Sequence, residues 1–404
     1  MPSRKRSRHH HFGRLLLLLM MIVVVSGGTI NYFRPLPAAA TTETQLNPEI
    51  GTVSLAWPSD GATAAIGAVG YGVLTNDGND RLPTASIAKL ITALTILKAK
   101  PLLLGQSGPT LTLTNRDVDL YNSYVVQDGS VVNVVAGEQL SEYQALLAML
   151  LPSANNIADS LALWAYGSLS SYADNANQLI QALGVHDTTV GSDASGLSPT
   201  TMSTPADLVS LGIAALQNPV LAQIVAQPNA NLPVVGTVQN VNFLLGKDGI
   251  NGIKTGNSDQ ANGCYLFSAP YSVSGHTITI VGAIMNAPTL ANALNDALPL
   301  LSSTERGFVT RTPVLAGQRF GDIKTQWGAQ ATIIAAGKVS LLAWQGAELT
   351  PHRSVEAIRQ AHPAGTIVGT IVLSSGSYES GTTLVLKQAL PPPNVWWRLT
   401  RHFL

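Results

Sequence analysis

Leu15 to Val25 is an unbroken apolar run, and Arg4, Lys5, Arg6, Arg8 and Arg14 stand before it without one acid. A basic flank followed by an apolar core is the pattern of a signal peptide or an uncleaved signal anchor, with the basic end kept in the cytoplasm. Ser26 to Phe33 extends the run more weakly up to Arg34, so residues 15–33 are about long enough to cross a bilayer. Ala38-Ala39-Ala40 offers small residues for cleavage but lies far from the apolar core. Residues 1–34 are therefore read as a retained anchor in the cytoplasmic membrane, with a secreted product as the alternative. His9, His10 and His11 are read with the basic flank and not as metal ligands. Whatever follows folds on the extracytoplasmic side.

Six of the 23 bases lie at or before Arg34, which leaves 17 against 23 acids in the remainder. That balance argues against nucleic acid as a partner, since phosphate binding needs clustered Lys and Arg. Cys264 is the only cysteine, which excludes an internal disulfide and a cysteine-based zinc site and reads as a small buried residue. The chain beyond the anchor is long enough for two domains with real cores.

Residues 35–48, rich in Pro, Ala and Thr, read as a linker. Ile50 to Trp57 and Ala64 to Leu74 look like two strands joined at Pro58-Ser59-Asp60-Gly61. From Ser86 to Lys100 the apolar residues Ile87, Leu90, Ile91, Leu94 and Leu97 recur at helical spacing, with Thr84 or Ser86 as a cap. Residues three apart share a helix face, so the Lys89 amine can reach the Ser86 hydroxyl. Burial and the helix N-terminus both disfavour an ammonium, and a neutral Lys89 can take the Ser86 proton. With nine lysines in the chain, about one Ser-x-x-Lys is expected by chance, and alone it reads better as a capping serine beside a solvated lysine.

Residues 101–140 are irregular, with a short strand expected over Ser130 to Val135 and a turn at Ala136-Gly137-Glu138. Two apolar helices follow, Ser141 to Leu151 and Ile157 to Tyr166, separated by Pro152-Ser153-Ala154-Asn155-Asn156. This Ser-x-Asn turn sets a hydroxyl and an amide at a fixed place, although helix capping alone would explain it. Tyr172 to Leu183 and Pro205 to Leu216 are further helices around the loop Gly191 to Pro199. Lys254-Thr255-Gly256 is more specific, since about 0.07 chance occurrences are expected. Its strand is followed by Cys264 to Ser268 and His276 to Asn286, which alternate like antiparallel neighbours and turn Lys254 toward a cleft. Thr312 to Ala389 consists of short strands and Gly-rich turns. The tail 391–404 pairs Trp396 and Trp397 with Arg398 and Arg401, which suits either a membrane interface or packing on the β region.

Ser-x-x-Lys, Ser-x-Asn and Lys-Thr-Gly in this order form a signature of penicillin-recognising serine enzymes. The chain resembles the D-alanyl-D-alanine carboxypeptidase family of low-molecular-mass penicillin-binding proteins from about residue 50 to 390. The likeness takes in Pro83 to Ala93, Leu150 to Asn156, Ser195-Gly196-Leu197 with Ser203-Thr204, and Asp248 to Gly263. It implies an α+β fold, with a β-lactamase/transpeptidase-like domain over 49–305 (antiparallel sheet with helical cluster), a small all-β domain over 306–390 and a tail over 391–404.

By the same resemblance Ser86 is the nucleophile and Lys89 its base. Ser153, Asn155 and Lys254 form the other side of the cleft, and Lys254, Thr255, Gly256 and Asn257 bind the substrate. The backbone N–H groups of Ser86 and Asn257 make the oxyanion hole. The implied substrate is the peptidoglycan stem peptide, with β-lactams as covalent inhibitors and no cofactor or metal. Two departures stand out. No Lys or Arg occurs over 256–305, where the family often carries an arginine for the substrate carboxylate, and Asn156 stands where an aspartate is frequent.

A class A β-lactamase shares the motifs but needs a glutamate between the second and third, and residues 154–253 contain none. A non-catalytic binding protein would not need Ser86, Lys89 and Lys254 intact. A Ser-His-Asp hydrolase would need a Gly-x-Ser-x-Gly elbow, which is absent, and His186, His276, His352 and His362 are scattered.

Overall fold

The computed structural model describes residues 7–401. Arg4, Lys5 and Arg6 of the basic flank and His402, Phe403 and Leu404 of the tail lie outside the described residues, as do the side chains of Arg8, His9, His10 and His11. The apolar run forms one helix, Ser7–Phe33, whose side chains from Phe12 to Val25 are exposed. Its apolar stretch, Phe12–Phe33, is 22 residues long, about 33 Å at 1.5 Å per residue, or roughly one bilayer core.

Five antiparallel strands make the central sheet, in the spatial order Gly252–Ser258, Asn262–Val273, His276–Ala287, Thr63–Ala68, Gly72–Asn76. The middle residues of the first four strands are buried on both faces because each face is covered, while Gly72–Asn76 at the edge is largely exposed. One face packs against a helical cluster around Leu90, Ile91, Leu146, Ile157, Leu208 and Leu221, with Leu266 and Val281 from the sheet. The other receives Ala293, Ala297 and Leu300 of the helix Leu290–Glu305 against Tyr265, Phe267 and Ile280. This is the α+β arrangement expected from the motifs.

From Phe308 to Leu386 the regular structure is all β. A six-stranded antiparallel sheet and the pair Phe308–Val314 with Val339–Trp344 enclose a separate core that includes Phe320, Ile333, Ile371 and Leu384. One of the six strands comes from the other end of the chain. Ala40–Glu43 pairs with Arg319–Lys324, so part of the segment expected to be a linker is bound into this sheet. Its Thr and Ala residues suit an edge strand once a partner is present, and that partner lies on the far side of the whole central domain in sequence.

Other local expectations give way to tertiary context. Ile50 to Trp57 forms no strand, although Val53, Leu55 and Trp57 pack on the outer-face core. Ala64 to Leu74 is a hairpin, turning at Gly70 and Tyr71, and not one strand. Ser130 to Val135 is likewise no strand; Val132 and Val134 are buried from an irregular segment. The stretch read as irregular contains a helix, Asn115–Val126, started by a Thr114/Asp117 capping box and carrying a thin apolar stripe. Neither Thr84 nor Ser86 caps the next helix; Thr84 Oγ1 donates instead to the Ala85 and Thr201 carbonyls. The tail forms a short helix, Val395–Thr400, packed on the end of the apolar helix, with Trp397 also edge-on to Trp327 of the β region.

Candidate active site

The Ser86 turn is held from three sides. Leu82–Pro83 pairs with Met202–Ser203, a 3-10 turn spans Ala85–Ile87, and the helix Ala88–Ala99 follows. Ala85 has φ +44°, a left-handed conformation that costs an L-residue roughly 1–3 kcal/mol and survives only where surrounding packing enforces it. Two glycines allow that packing. A Cβ on Gly196 would stand 2.1 Å from the Ala85 carbonyl oxygen, and one on Gly256 would stand 3.0 Å from that of Thr84. The Lys-Thr-Gly strand therefore lies directly against the turn that presents the serine, and Cys264 closes it from behind.

Lys89 is fully buried while Ser86 is half-buried. The Lys89 Nζ lies 2.8 Å from Ser86 Oγ, 2.6 Å from Asn155 Oδ1 and 3.0 Å from the Ser195 carbonyl oxygen. Burial, and then repulsion from Lys254, pulls its pKa well below the usual lysine value, against the opposing pull of Asp193 and Asp159. Burial likewise pushes Lys254 down to about 7; its Nζ donates to the Thr255 carbonyl at 3.1 Å. A neutral amine within hydrogen-bonding distance of a hydroxyl is positioned to accept its proton.

Ser153 opens the turn before the helix Asn155–Tyr166 at φ +65°, and its buried Oγ has no hydrogen-bond partner. A buried hydroxyl without a partner is uncommon and marks a position where a substrate atom can complete the bonding. Thr255 is buried beside Lys254 on the strand Gly252–Ser258, while Asn257 is exposed at the rim. Asn156 explains its own departure from the expected aspartate. Its Oδ1 accepts from Val132 N at 3.1 Å and its Nδ2 donates to Val132 O at 2.9 Å. A carboxylate could make only the first of these.

Three residues of this cluster escaped the motif reading. Asp193 Oδ1 accepts from Ser195 N (2.8 Å), Ser195 Oγ (2.6 Å), Gly196 N (2.6 Å) and Leu197 N (3.3 Å), and its Oδ2 from Ser198 N (3.1 Å). The loop so wound is fastened to the Ser86 helix by Thr92 Oγ1, which donates to Ala194 O at 2.6 Å, and this places the Ser195 carbonyl on Lys89. Asp159 accepts from Ala194 N (2.9 Å) and from Tyr124 Oη (2.7 Å). Burial, against those hydrogen bonds, raises Asp159 to about 6, and burial with the neighbouring Asp159 raises the Tyr124 phenol. The signal available in the sequence was the Ser195-Gly196-Leu197 run, whose sharp turn needs an anion to gather its N–H groups. Tyr124 lay in the stretch read as irregular.

Between the Asp193 loop, Tyr124 and the Asn257 end of the Lys-Thr-Gly strand opens a cleft of about 610 Å³, bounded also by Ser198 and Asp259; Ser86 is not among its lining residues, nor is any Lys or Arg. None of the four histidines singled out joins it; His186, for example, meets Gln181 on the exterior. Cys264 is buried and burial raises its thiol to about 11, so it stays a protonated packing residue.

A sequence profile of the D-alanyl-D-alanine carboxypeptidases, peptidase family S11, matches residues 65–289, more than half of the chain. The chain belongs to this family. Similar curated proteins are the D-alanyl-D-alanine endopeptidases of Pseudomonas aeruginosa, 28% identical over 246 residues (58% of this chain, 73% of the relative), and of Escherichia coli K12, 27% identical over 245 residues (58% and 73%). Among solved structures, penicillin-binding protein 5 of Haemophilus influenzae superposes with a TM-score of 0.58 at 18% identity, covering 82% of this chain and 98% of that one. The Streptomyces K15 DD-transpeptidase gives 0.54 at 24% identity, covering 61% and 98%. The S11 chain is thus a serine DD-peptidase acting on peptidoglycan, built on the penicillin-binding fold.

Proposed function

We propose that this S11 enzyme is a D-Ala-D-Ala carboxypeptidase that removes the terminal D-alanine of stem peptides through an acyl-enzyme on Ser86. The observation that carries the reading is the buried Lys89 amine 2.8 Å from Ser86 Oγ. Ser86 Oγ attacks the penultimate D-alanine carbonyl as its proton passes to Lys89 Nζ. The tetrahedral oxyanion is met by the backbone N–H groups of Ser86 and Asn257, two aimed donors that stabilise developing charge by several kcal/mol. Ser153, freed of any other bond, relays a proton between the lysines and the departing amine. Asn155 holds Lys89 in register, and Thr255 Oγ1 with Lys254 receives the terminal carboxylate, since residues 256–305 and the cleft lining supply no other cation. Water then releases the shortened peptide with Lys89 as base.

A second reading is favoured by the two curated relatives, both named endopeptidases. In it the same chemistry opens a cross-link, the leaving group being a longer peptide amine. Assaying D-alanine release from a pentapeptide beside cleavage of a cross-linked dimer separates the two. Faster turnover of the pentapeptide supports the carboxypeptidase, and exclusive turnover of the dimer overturns it.

We also propose that the enzyme is held outside the cytoplasm by its uncleaved N-terminal helix, with the basic flank inside. In support, Ala39 N donates to Ile358 O and Ala40 pairs with Lys324, so the small-residue stretch is tied by backbone hydrogen bonds to the edge of the β region. Carbonate extraction of membranes tests this: the protein should stay in the pellet, and a soluble product lacking the helix would refute it.

A further inference from the structure

The far end of the apolar helix is joined to the far end of the chain. Asn31 is buried there, and its Nδ2 donates to Leu399 O (3.3 Å) and Arg401 O (2.6 Å). The Arg401 guanidinium returns the contact to Asn31 O (2.6 Å), to Pro35 O (3.2 Å) and to Arg34 O. Arg398 donates to Tyr32 O at 3.2 Å and lies over the Tyr32 ring. Leu399 Cδ2 would be 3.6 Å from a Cβ on Gly28, which places the short helix along the last turns of the apolar one.

This junction borders a cleft of about 660 Å³ whose lining includes Arg34, Arg359, Arg401, Gln326 and Trp397 and no acid. Arg359 makes no hydrogen bond or ion pair among the described residues. Desolvation, and then the nearness of Arg34 and Arg398, lowers Arg401 from its usual value, the mark of like charges gathered together. On the outside of the same junction Ile30, Phe33, Val395 and Trp396 are exposed, Trp396 at 73% and Phe33 at 77%. Apolar and indole side chains next to guanidinium groups, at the end of a bilayer-length helix, match the chemistry of a headgroup layer.

We propose that this cleft binds the phosphate of an anionic phospholipid of the outer leaflet, with Arg359 donating to the headgroup, the charges of Arg34 and Arg401 attracting it, and Trp396 seated in the interface. The proposal rests on the membrane reading of the N-terminal helix. Continuity decides the source of the phosphate: the cleft opens where the apolar span stops, at the depth of lipid phosphates. The bound lipid would then tether the β region as well as the helix, and so fix how high the Ser86 cleft stands above the membrane.

The test uses the full chain in a neutral maltoside detergent, so that it reads out whether or not cells keep the helix. Phosphatidylglycerol or phosphatidylcholine is titrated in, and bound lipid is counted by native mass spectrometry. Each interfacial cation contributes about fivefold, so phosphatidylglycerol should be retained at least about tenfold better than phosphatidylcholine. Arg359→Gln, which breaks no hydrogen bond or ion pair of the described fold, should lose about fivefold of that preference, and Arg359→Gln with Arg401→Gln should abolish it. Penicillin labelling of Ser86 should be unchanged in both variants, which separates a failure here from a failure of the peptidase reading. Equal retention of the two lipids, or a preference that survives the double substitution, overturns the proposal. Displacement of phosphatidylglycerol by millimolar inorganic phosphate makes the cleft a free-phosphate site and overturns the lipid assignment.

Discussion

Replacing Asp193 by Asn tests whether the Ser195 loop positions the base. The carboxylate gathers four donors on one oxygen and a fifth on the other, and it is buried. Hydrogen bonds to a charged group are worth about 1.5–3 kcal/mol each against roughly 0.5–1.5 for neutral ones, so neutralisation weakens every bond in the set. The amide would also turn an N–H toward the Ser198 N–H. Allowing for relaxation, the net loss of stability is on the order of 2–4 kcal/mol, readable as a lower urea midpoint by circular dichroism. The Ser195 carbonyl would no longer be fixed on Lys89. A misplacement on the order of 1 Å costs about a hundredfold in rate, so stopped-time fluorescent-penicillin labelling should slow by roughly 10- to 100-fold. A third readout separates positioning from general damage. Asp193 raises the Lys89 pKa, so its removal lets Lys89 stay neutral to lower pH, and the acid limb of the labelling profile should move down. Parental labelling rates with an unchanged midpoint, or an acid limb that moves up, would refute the reasoning.

Lys89→Ala should cut acylation by orders of magnitude in the same labelling assay while the protein remains folded; near-parental rates across neutral pH would remove Lys89 from the base role. Lys254 has a folded pKa of about 7 and an unfolded value near 10.4, so the unfolded chain binds the extra proton between them and stability rises with pH over that window. Urea unfolding should show a parental gain of on the order of 1 kcal/mol per pH unit for each of the two buried lysines from about pH 7 upward, and Lys254→Met should lose the Lys254 share while that of Lys89 remains. Asn156→Asp would set a buried carboxylate against Val132 O at a cost of about 1–3 kcal/mol. Burial raises the folded carboxyl pKa, so that deficit should be absent below about pH 4 and grow as pH climbs toward the raised value; a deficit constant with pH would contradict it. With no glutamate over residues 154–253, and Asp159 and Asp193 occupied by their own donors, the penicilloyl ester lacks a dedicated base for water. A chromogenic cephalosporin should therefore give one turnover and stop, whereas steady rapid hydrolysis would favour a β-lactamase.

The chemistry of this protein was legible wherever it is local. Three residues of helix fix the Ser86–Lys89 distance, and Ser153-Ala154-Asn155 is a turn between two apolar helices whatever surrounds it. Lys254-Thr255-Gly256 announces a strand that something must approach closely, and the approaching group is the Ser86 turn. The apolar run behind a basic flank forms a long exposed helix because no partner is required for it to do so. What the tertiary structure decided is non-local. Asp193 looked like one of many loop acids until the backbone N–H groups of four residues closed on it, and only then did Ser195 gain a role at Lys89. Asn156 looked like a small departure until the irregular segment at Val132 supplied a peptide group that an amide, and no carboxylate, can match on both sides. Ala40–Glu43 carries too little apolar pattern to be a strand alone, and becomes one because the open sheet edge at Arg319–Lys324 pairs its backbone. The union of Asn31 with Leu399 and Arg401 joins opposite ends of the chain. Periodicity within either segment holds no trace of it, since hydrogen bonds between such distant segments leave no local spacing to read.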